Sequence, residues 1–218
     1  MSVTRCVIRE AIQQVMREHV KEPFFLIREV GLQARLWSIL RDNLDPSVVT
    51  SQITAKSAGH RHTREFRTSR VQLELKVGGT KKSDVTVFRA DRKPRLTCWP
   101  AGPTDVVAGV DPEDVEAVIE MKAAPSRAPE QRAAFADDIE KLDALRAKHA
   151  HLQCYFVLID KSLPVPGAAC DPLQPVGSWQ LSPPRELLDC VGDNDENRVE
   201  VWDLTCDPDP TPRGRYLG

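Results

Sequence analysis

Glu120-Met121-Lys122 closes an apolar run that begins at Val115, and Asp84 opens an earlier one, Val85 to Phe88. Side chains alternate across a strand, so Glu120 and Lys122 share one face while Ala117, Ile119 and Met121 share the other. Two carboxylates and an ammonium brought together suit the hydrolysis of a phosphodiester. That reaction drives an anion toward an anion, and a divalent cation relieves the repulsion at the nonbridging oxygen, the attacking water and the leaving group. Magnesium takes hard oxygen ligands and keeps several waters, a set that Asp84, Glu120 and the backbone carbonyl of Met121 can supply. Lys122 would orient the attacking water or deprotonate it. Action as a base requires a lowered pKa, so electrostatic stabilisation is an equally open role.

These residues need a scaffold, and hydrophobic periodicity supplies one. Ser2 to Lys21 carries Val7, Ile8, Ala11, Ile12, Val15 and Met16 at helical spacing, and Pro23 interrupts it. A second helix is predicted from about Phe24 to Leu44, with Phe25, Leu32, Leu36 and Ile39 as its stripe and Asp45-Pro46 as its stop. Glu29 falls on that stripe. Residues 47–70 are polar and basic and read as either a loop or an exposed strand. Val71, Leu73, Leu75 and Val77 then alternate with polar residues, Gly78-Gly79 makes a turn, and Ser83 to Phe88 returns as the second strand of a hairpin. Pro94, Pro100, Pro103 and Pro112 mark residues 91–114 as an insertion looped around the sheet, with a short strand at Leu96 to Trp99. Val115 to Lys122, Pro129 to His149 and Leu152 to Ile159 read as strand, crossover helix and strand, the pattern of a parallel pair. The strand opening at Ser83 would run antiparallel to the one ending at Lys122. Asp84 and Glu120 would then meet at one end of the sheet.

In this order, Asp84 in Ser-Asp-Val-Thr-Val-Phe followed by Glu120-x-Lys122 on an apolar strand, a helix and another strand, the chain from about Phe24 to Asp160 resembles the PD-(D/E)xK superfamily of restriction-endonuclease-like nucleases. The resemblance implies an α/β fold, a mixed central β-sheet flanked by helices with an αβββαβ core. Around that core, residues 23–160, lie an N-terminal helix at 1–22 and a Pro-rich, acidic C-terminal extension at 161–218. It also implies dependence on Mg2+ or Mn2+ and cleavage of DNA more often than RNA, with Asp84 and Glu120 as metal ligands and Lys122 as the catalytic lysine. Glu29 is the candidate for the helix acid that reaches the metal, with Gln33 in support; the alternative is a glutamate at the stripe's margin paired with a basic side chain. Asp138 and Lys141, in Asp137-Asp138-Ile139-Glu140-Lys141-Leu142, would support the site or a phosphate, or form a plain surface pair. Two departures stand out. Ser83 replaces the proline of the family name, and Glu120 lies 36 positions after Asp84 (120 − 84), an interval holding Asp91, Asp105, Asp111 and Asp114 as rival first acids. Asp84 is preferred because it opens a clear apolar strand.

Composition narrows the remaining choices. With 218 residues and 41% hydrophobic content the chain can bury one full-sized core. No window approaches the roughly 18 apolar residues of a membrane span, and the first residues lack a signal-like stretch, so a cytoplasmic protein without membrane contact is expected. Six scattered cysteines read as reduced thiols, His60-Arg61-His62 and His149-x-His151 lack partners at zinc-site spacing, and no Gly-rich phosphate loop is present. The net charge of −2 hides a strong asymmetry. From Lys56 to Arg95 twelve Lys or Arg face four acids, and from Glu186 to Asp209 nine acids face only Arg198. The basic stretch suits a polyanion, with Arg61, Arg64, Arg67 and Arg70 recurring every third residue and Lys81 and Lys82 beside them. The acidic stretch would cover that groove or contact a partner. Together these features predict a metal-dependent DNA endonuclease of restriction or host defence, as a homodimer or with a partner subunit. A catalytically weak nucleic-acid-binding module on the same fold, and a partner-binding protein with a fortuitous motif, are the alternatives.

Overall fold

The computed structural model describes residues 3–21, 29–44, 49–57, 60–79, 81–100, 106–124, 129–160, 186–193 and 197–203. Apolar residues at helical spacing build the first layer. Helix α1 (Val3–Lys21) buries Ile8, Ala11, Ile12 and Val15 against Leu32, Leu36, Ile39 and Leu40 of helix α2 (Glu29–Asn43). Each fully buried Leu or Ile contributes roughly 1.5–3 kcal/mol of transfer free energy, so this stripe anchors both helices. The predicted start of α2 at Phe24 and its stop at Asp45-Pro46 fall outside the described residues.

Strands follow: β1 (Val49–Ser57), β2 (His60–Thr68), β3 (Val71–Val77), β4 (Lys82–Phe88), β5 (Arg95–Pro100), β6 (Val106–Val110) and β7 (Val115–Ala124). Helix α3 (Pro129–Lys148), β8 (Gln153–Asp160), β9 (Glu186–Asp193) and β10 (Asn197–Asp203) complete the described elements. All ten strands join one mixed sheet, in the order β2-β1-β5-β6-β3-β4-β7-β8-β10-β9. As the spacing predicts, β4 runs antiparallel to β7, and β7 runs parallel to β8 with α3 as the crossover.

Strand alternation splits the interior into two cores. Ala117, Ile119 and Met121 of β7 and Tyr155 and Val157 of β8 face α1 and α2. Val118 of β7 with Cys154 and Phe156 of β8 packs on Ile139, Leu142 and Leu145 of α3. A sheet covered on both faces explains why these strands read as nearly continuous apolar runs.

Strand β3 departs from simple alternation. Val71 and Leu73 belong with the α1–α2 core, whereas Leu75 and Val77 belong with the α3 core. Odd positions of an unbroken strand would share a face. The reversal occurs at Glu74, whose φ of 58° lies in the left-handed region that a glutamate seldom adopts. Pairing with β4 continues on both sides, Leu73 opposite Val85 and Leu75 opposite Ser83. The predicted turn follows, with Gly78 at φ 63° and Gly79 at φ 78°, and a Cβ on Gly78 would come within 2.9 Å of Pro112 Cγ.

One sequence expectation is corrected and one open choice is decided. Residues 91–114 do not loop around the sheet, because β5 and β6 lie within it between β1 and β3. The prolines misled because they punctuate these strands: Pro94 precedes β5, Pro100 ends it, and Pro112 opens a 3-10 turn at Pro112–Asp114. The ambiguous segment 47–70 is resolved over β1 and β2, an antiparallel hairpin with Val49 opposite Thr68. Among the described residues no helix is long and apolar enough to cross a membrane.

Candidate active site

The register of β4 on β7 pairs Val85 with Ile119 and so carries Asp84 and Glu120 to the same end of the sheet. Asp84 Oδ2 accepts a 2.6 Å hydrogen bond from the backbone N–H of Met121, which continues the ladder through a side chain. Burial pushes the Asp84 carboxyl up to about 6, against the Met121 amide and the charge of Lys122, which favour ionisation. Glu120 is 1% exposed, and burial together with the neighbouring Asp84 charge pushes it up to about 8, with Lys141 opposing. Lys141 Nζ lies 2.5 Å from Glu120 Oε1. That ammonium is the partner of this buried oxygen, and its charge and hydrogen bond favour ionisation against the effect of burial.

Lys122 links two helices across the end of the sheet. Its Nζ is 3.5 Å from Glu29 Oε1 at the start of α2 and 3.3 Å from Asp138 Oδ2 on α3. Burial works against its charge, but Asp84, Glu29 and Asp138 outweigh that effect and hold its pKa above the ordinary lysine value. Gln33, one turn along α2, donates through Nε2 to Glu29 Oε1 at 3.4 Å. Lys141 also donates to the carbonyl of Lys82 at 2.9 Å and lies 3.8 Å from Asp138 Oδ1. Asp138 and Lys141 are therefore not a plain surface pair: their side chains are 13% and 7% exposed. Four carboxylates and two ammoniums meet here, a net charge of −2 when all are ionised.

These donors fit a hard divalent cation. Among the described residues no three His, Cys, Asp or Glu side chains converge on a metal position by themselves. Magnesium keeps several waters, so a site for it needs only a few protein oxygens. Two buried acids that repel each other are what a cation would relieve.

The rival first acids lie elsewhere. Asp91 is exposed and pairs with Arg89, Asp111 and Asp114 pair with Arg95, and Asp105 is outside the described residues. None of the three that are described joins Glu120 as Asp84 does. Glu74, which the sequence reading did not single out, stands opposite Asp84 at the reversal of β3 and adds to the charge that disfavours Asp84 ionisation. Nothing in its sequence setting marks it, since an acid between Leu73 and Leu75 looks like any outward strand residue.

The proposed arginine path is corrected. Arg70 is buried, with Nε donating to the Phe88 carbonyl at 2.7 Å and Nη2 contacting Glu116 Oε2 at 2.5 Å and Thr4 Oγ1 at 3.2 Å. Its guanidinium is thus committed to the fold. Arg61, Arg64 and Arg67 lie on β2, where a spacing of three puts Arg64 and Arg67 on opposite faces. The side chain of Arg61 is outside the described residues, and Arg64 and Arg67 are exposed. β2 lies six strand spacings from β7, about 29 Å at ~4.8 Å each, so these residues do not line the approach to Glu120. Lys81 and Lys82 do sit at the site's end of the sheet, exposed and 3.5 Å from Asp137 and Glu74 respectively.

No protein-family model and no curated protein matches the chain. Among solved structures it is similar to NucC of E. coli MS115-1 in its cAAA-bound form, at 15% identity over 67% of this chain and 50% of that one, with a TM-score of 0.28. NucC of P. aeruginosa ATCC27853, also cAAA-bound, matches at 16% identity over 77% of this chain and 56% of its own, again with a TM-score of 0.28. The chain spans about half the length of these proteins, and a likeness so slight carries no weight beside the geometry of the site.

Proposed function

We propose that this chain is a divalent-metal-dependent nuclease that hydrolyses phosphodiester bonds in DNA. The observation that carries this reading is the pair Asp84 and Glu120, two buried carboxylates that repel each other at one sheet end beside Lys122. Setting aside the pairs β1–β2 and β5–β6 as additions, the elements α2, β3, β4, β7, α3 and β8 follow the order of an αβββαβ core of the restriction-endonuclease-like kind.

Asp84, Glu120 and the Met121 carbonyl would hold Mg2+ or Mn2+. When bound, the metal polarises the phosphoryl oxygen and makes a coordinated water more acidic. Lys122 is surrounded by carboxylates that favour its charged form, which suits a role in positioning the attacking water or steadying charge on the phosphate. Glu29 and Asp138 fix that ammonium from two helices, and Gln33 fixes Glu29. Lys81 and Lys82 are exposed where the flanking phosphates of a substrate would arrive.

Plasmid nicking with Mg2+ or Mn2+ tests the reading. Glu120→Ala and Lys122→Ala should each lower the rate on the order of 100-fold or more, with DNA binding retained. Undiminished nicking by folded Glu120→Ala, or no nicking by the wild-type chain with either metal, overturns it.

A further inference from the structure

Lys141 occupies the place in this site where a cation is wanted. Its ammonium lies 2.5 Å from Glu120 Oε1, and its side chain is as buried as the acids it serves. A lysine enclosed in this way normally has one task, to neutralise a carboxylate that burial would otherwise protonate. Here the carboxylate is the one proposed to bind metal, so ammonium and metal need the same oxygen. Lys141 has two further oxygens within reach, the Lys82 carbonyl at 2.9 Å and Asp138 Oδ1 at 3.8 Å one turn earlier on α3. It can therefore release Glu120 without losing every partner. The charge balance agrees: with every acid ionised, four carboxylates against two ammoniums leave a deficit of two positive charges, which a divalent cation would fill as it displaces any remaining proton while Lys141 stays beside Asp138.

We propose that Lys141 is an exchangeable counter-cation that holds Glu120 in the metal-free protein and moves toward Asp138 and the Lys82 carbonyl when a divalent metal takes the carboxylate. Lys141 is thus a positioning residue that sets the affinity for metal, an inference that rests on the metal reading of the site. The exchange explains how two mutually repelling buried acids are kept in place before any metal arrives.

Calorimetric titration with Mn2+ alone, without nucleic acid, tests the exchange in wild-type protein and in Lys141→Met. Removing the competitor should tighten Mn2+ binding roughly tenfold, within the usual range of coupling between neighbouring sites. The metal-free variant should also melt at a lower temperature than wild type, and Mn2+ should raise its melting temperature by more. Equal or weaker Mn2+ binding by the folded variant overturns the exchange while leaving the metal site intact. Absence of Mn2+ binding to both proteins overturns the metal reading as well. Wild-type protein gives an assay that does not depend on the variant's folding, acylation of lysines with acetic anhydride read residue by residue by mass spectrometry. Mn2+ should change the labelling rate of Lys141 several-fold while that of exposed Lys81 stays constant; an unchanged rate at Lys141 in the presence of saturating Mn2+ overturns the proposal.

Discussion

Asp84 and Glu120 are ordinary acids placed where ionisation is difficult. Their values of about 6 and 8 in the folded chain stand above the ordinary 3.8 and 4.5, with burial as the main cause. The folded state therefore holds protons that the unfolded state has released, and stability falls as pH rises through this window. In a chelator, the melting temperature should decline from about pH 5 to about pH 8, and Glu120→Gln should flatten the decline because its side chain stays neutral. A melting temperature that rises over that interval argues against the buried pair. At this scale the sequence was most informative about Glu120 and Lys122, because parity on one strand is a local property. Pairing Asp84 with them needed only the antiparallel return of β4. The contact of Lys141 with Glu120 was not readable, since it depends on how α3 docks over the end of β7.

Among elements, β3 shows where pattern and backbone part company. Val71, Leu73, Leu75 and Val77 have one apolar rhythm, yet the first two and the last two serve different cores. Only the left-handed backbone at Glu74 allows this, and period-two reasoning contains no signal for it. Glu74→Gly removes the conformational cost of a side chain at positive φ and should stabilise the protein by about 0.5–1 kcal/mol in urea unfolding. The lost contact with Lys82 subtracts little, both side chains being about half exposed. A loss of stability in that variant would mean that Glu74 holds β3 by something other than its backbone. The insertion was misread for a related reason: prolines are excluded from strand interiors but suit strand ends, and a sequence does not say which side of the proline the strand lies on.

The whole molecule is joined at points remote from the chemistry. Arg70 ties Thr4 of α1, the end of β4 and Glu116 of β7 with one guanidinium. Removing it leaves Glu116 and the Phe88 carbonyl without that donor, so Arg70→Met should cost about 3 kcal/mol in urea unfolding. Mn2+ affinity of the folded variant should stay within about twofold of wild type, as for a distant, independent site. A loss under about 1 kcal/mol would show the network to be replaceable. The sequence offered Arg70 as a phosphate contact because charge is visible along a chain and burial is not. The β3–β4 hairpin and the β7-α3-β8 crossover were legible from periodicity; the breadth of the sheet was not, since the hairpins β1–β2, β5–β6 and β9–β10 join it through the pairings β1–β5, β3–β6 and β8–β10.

Lys122 reaches α2 on one side of the sheet and α3 on the other through a single ammonium. It works as a latch between the two helix layers. Drawing Lys122 away would release the start of α2 and the middle of α3 together, so the two helix layers would loosen in one event.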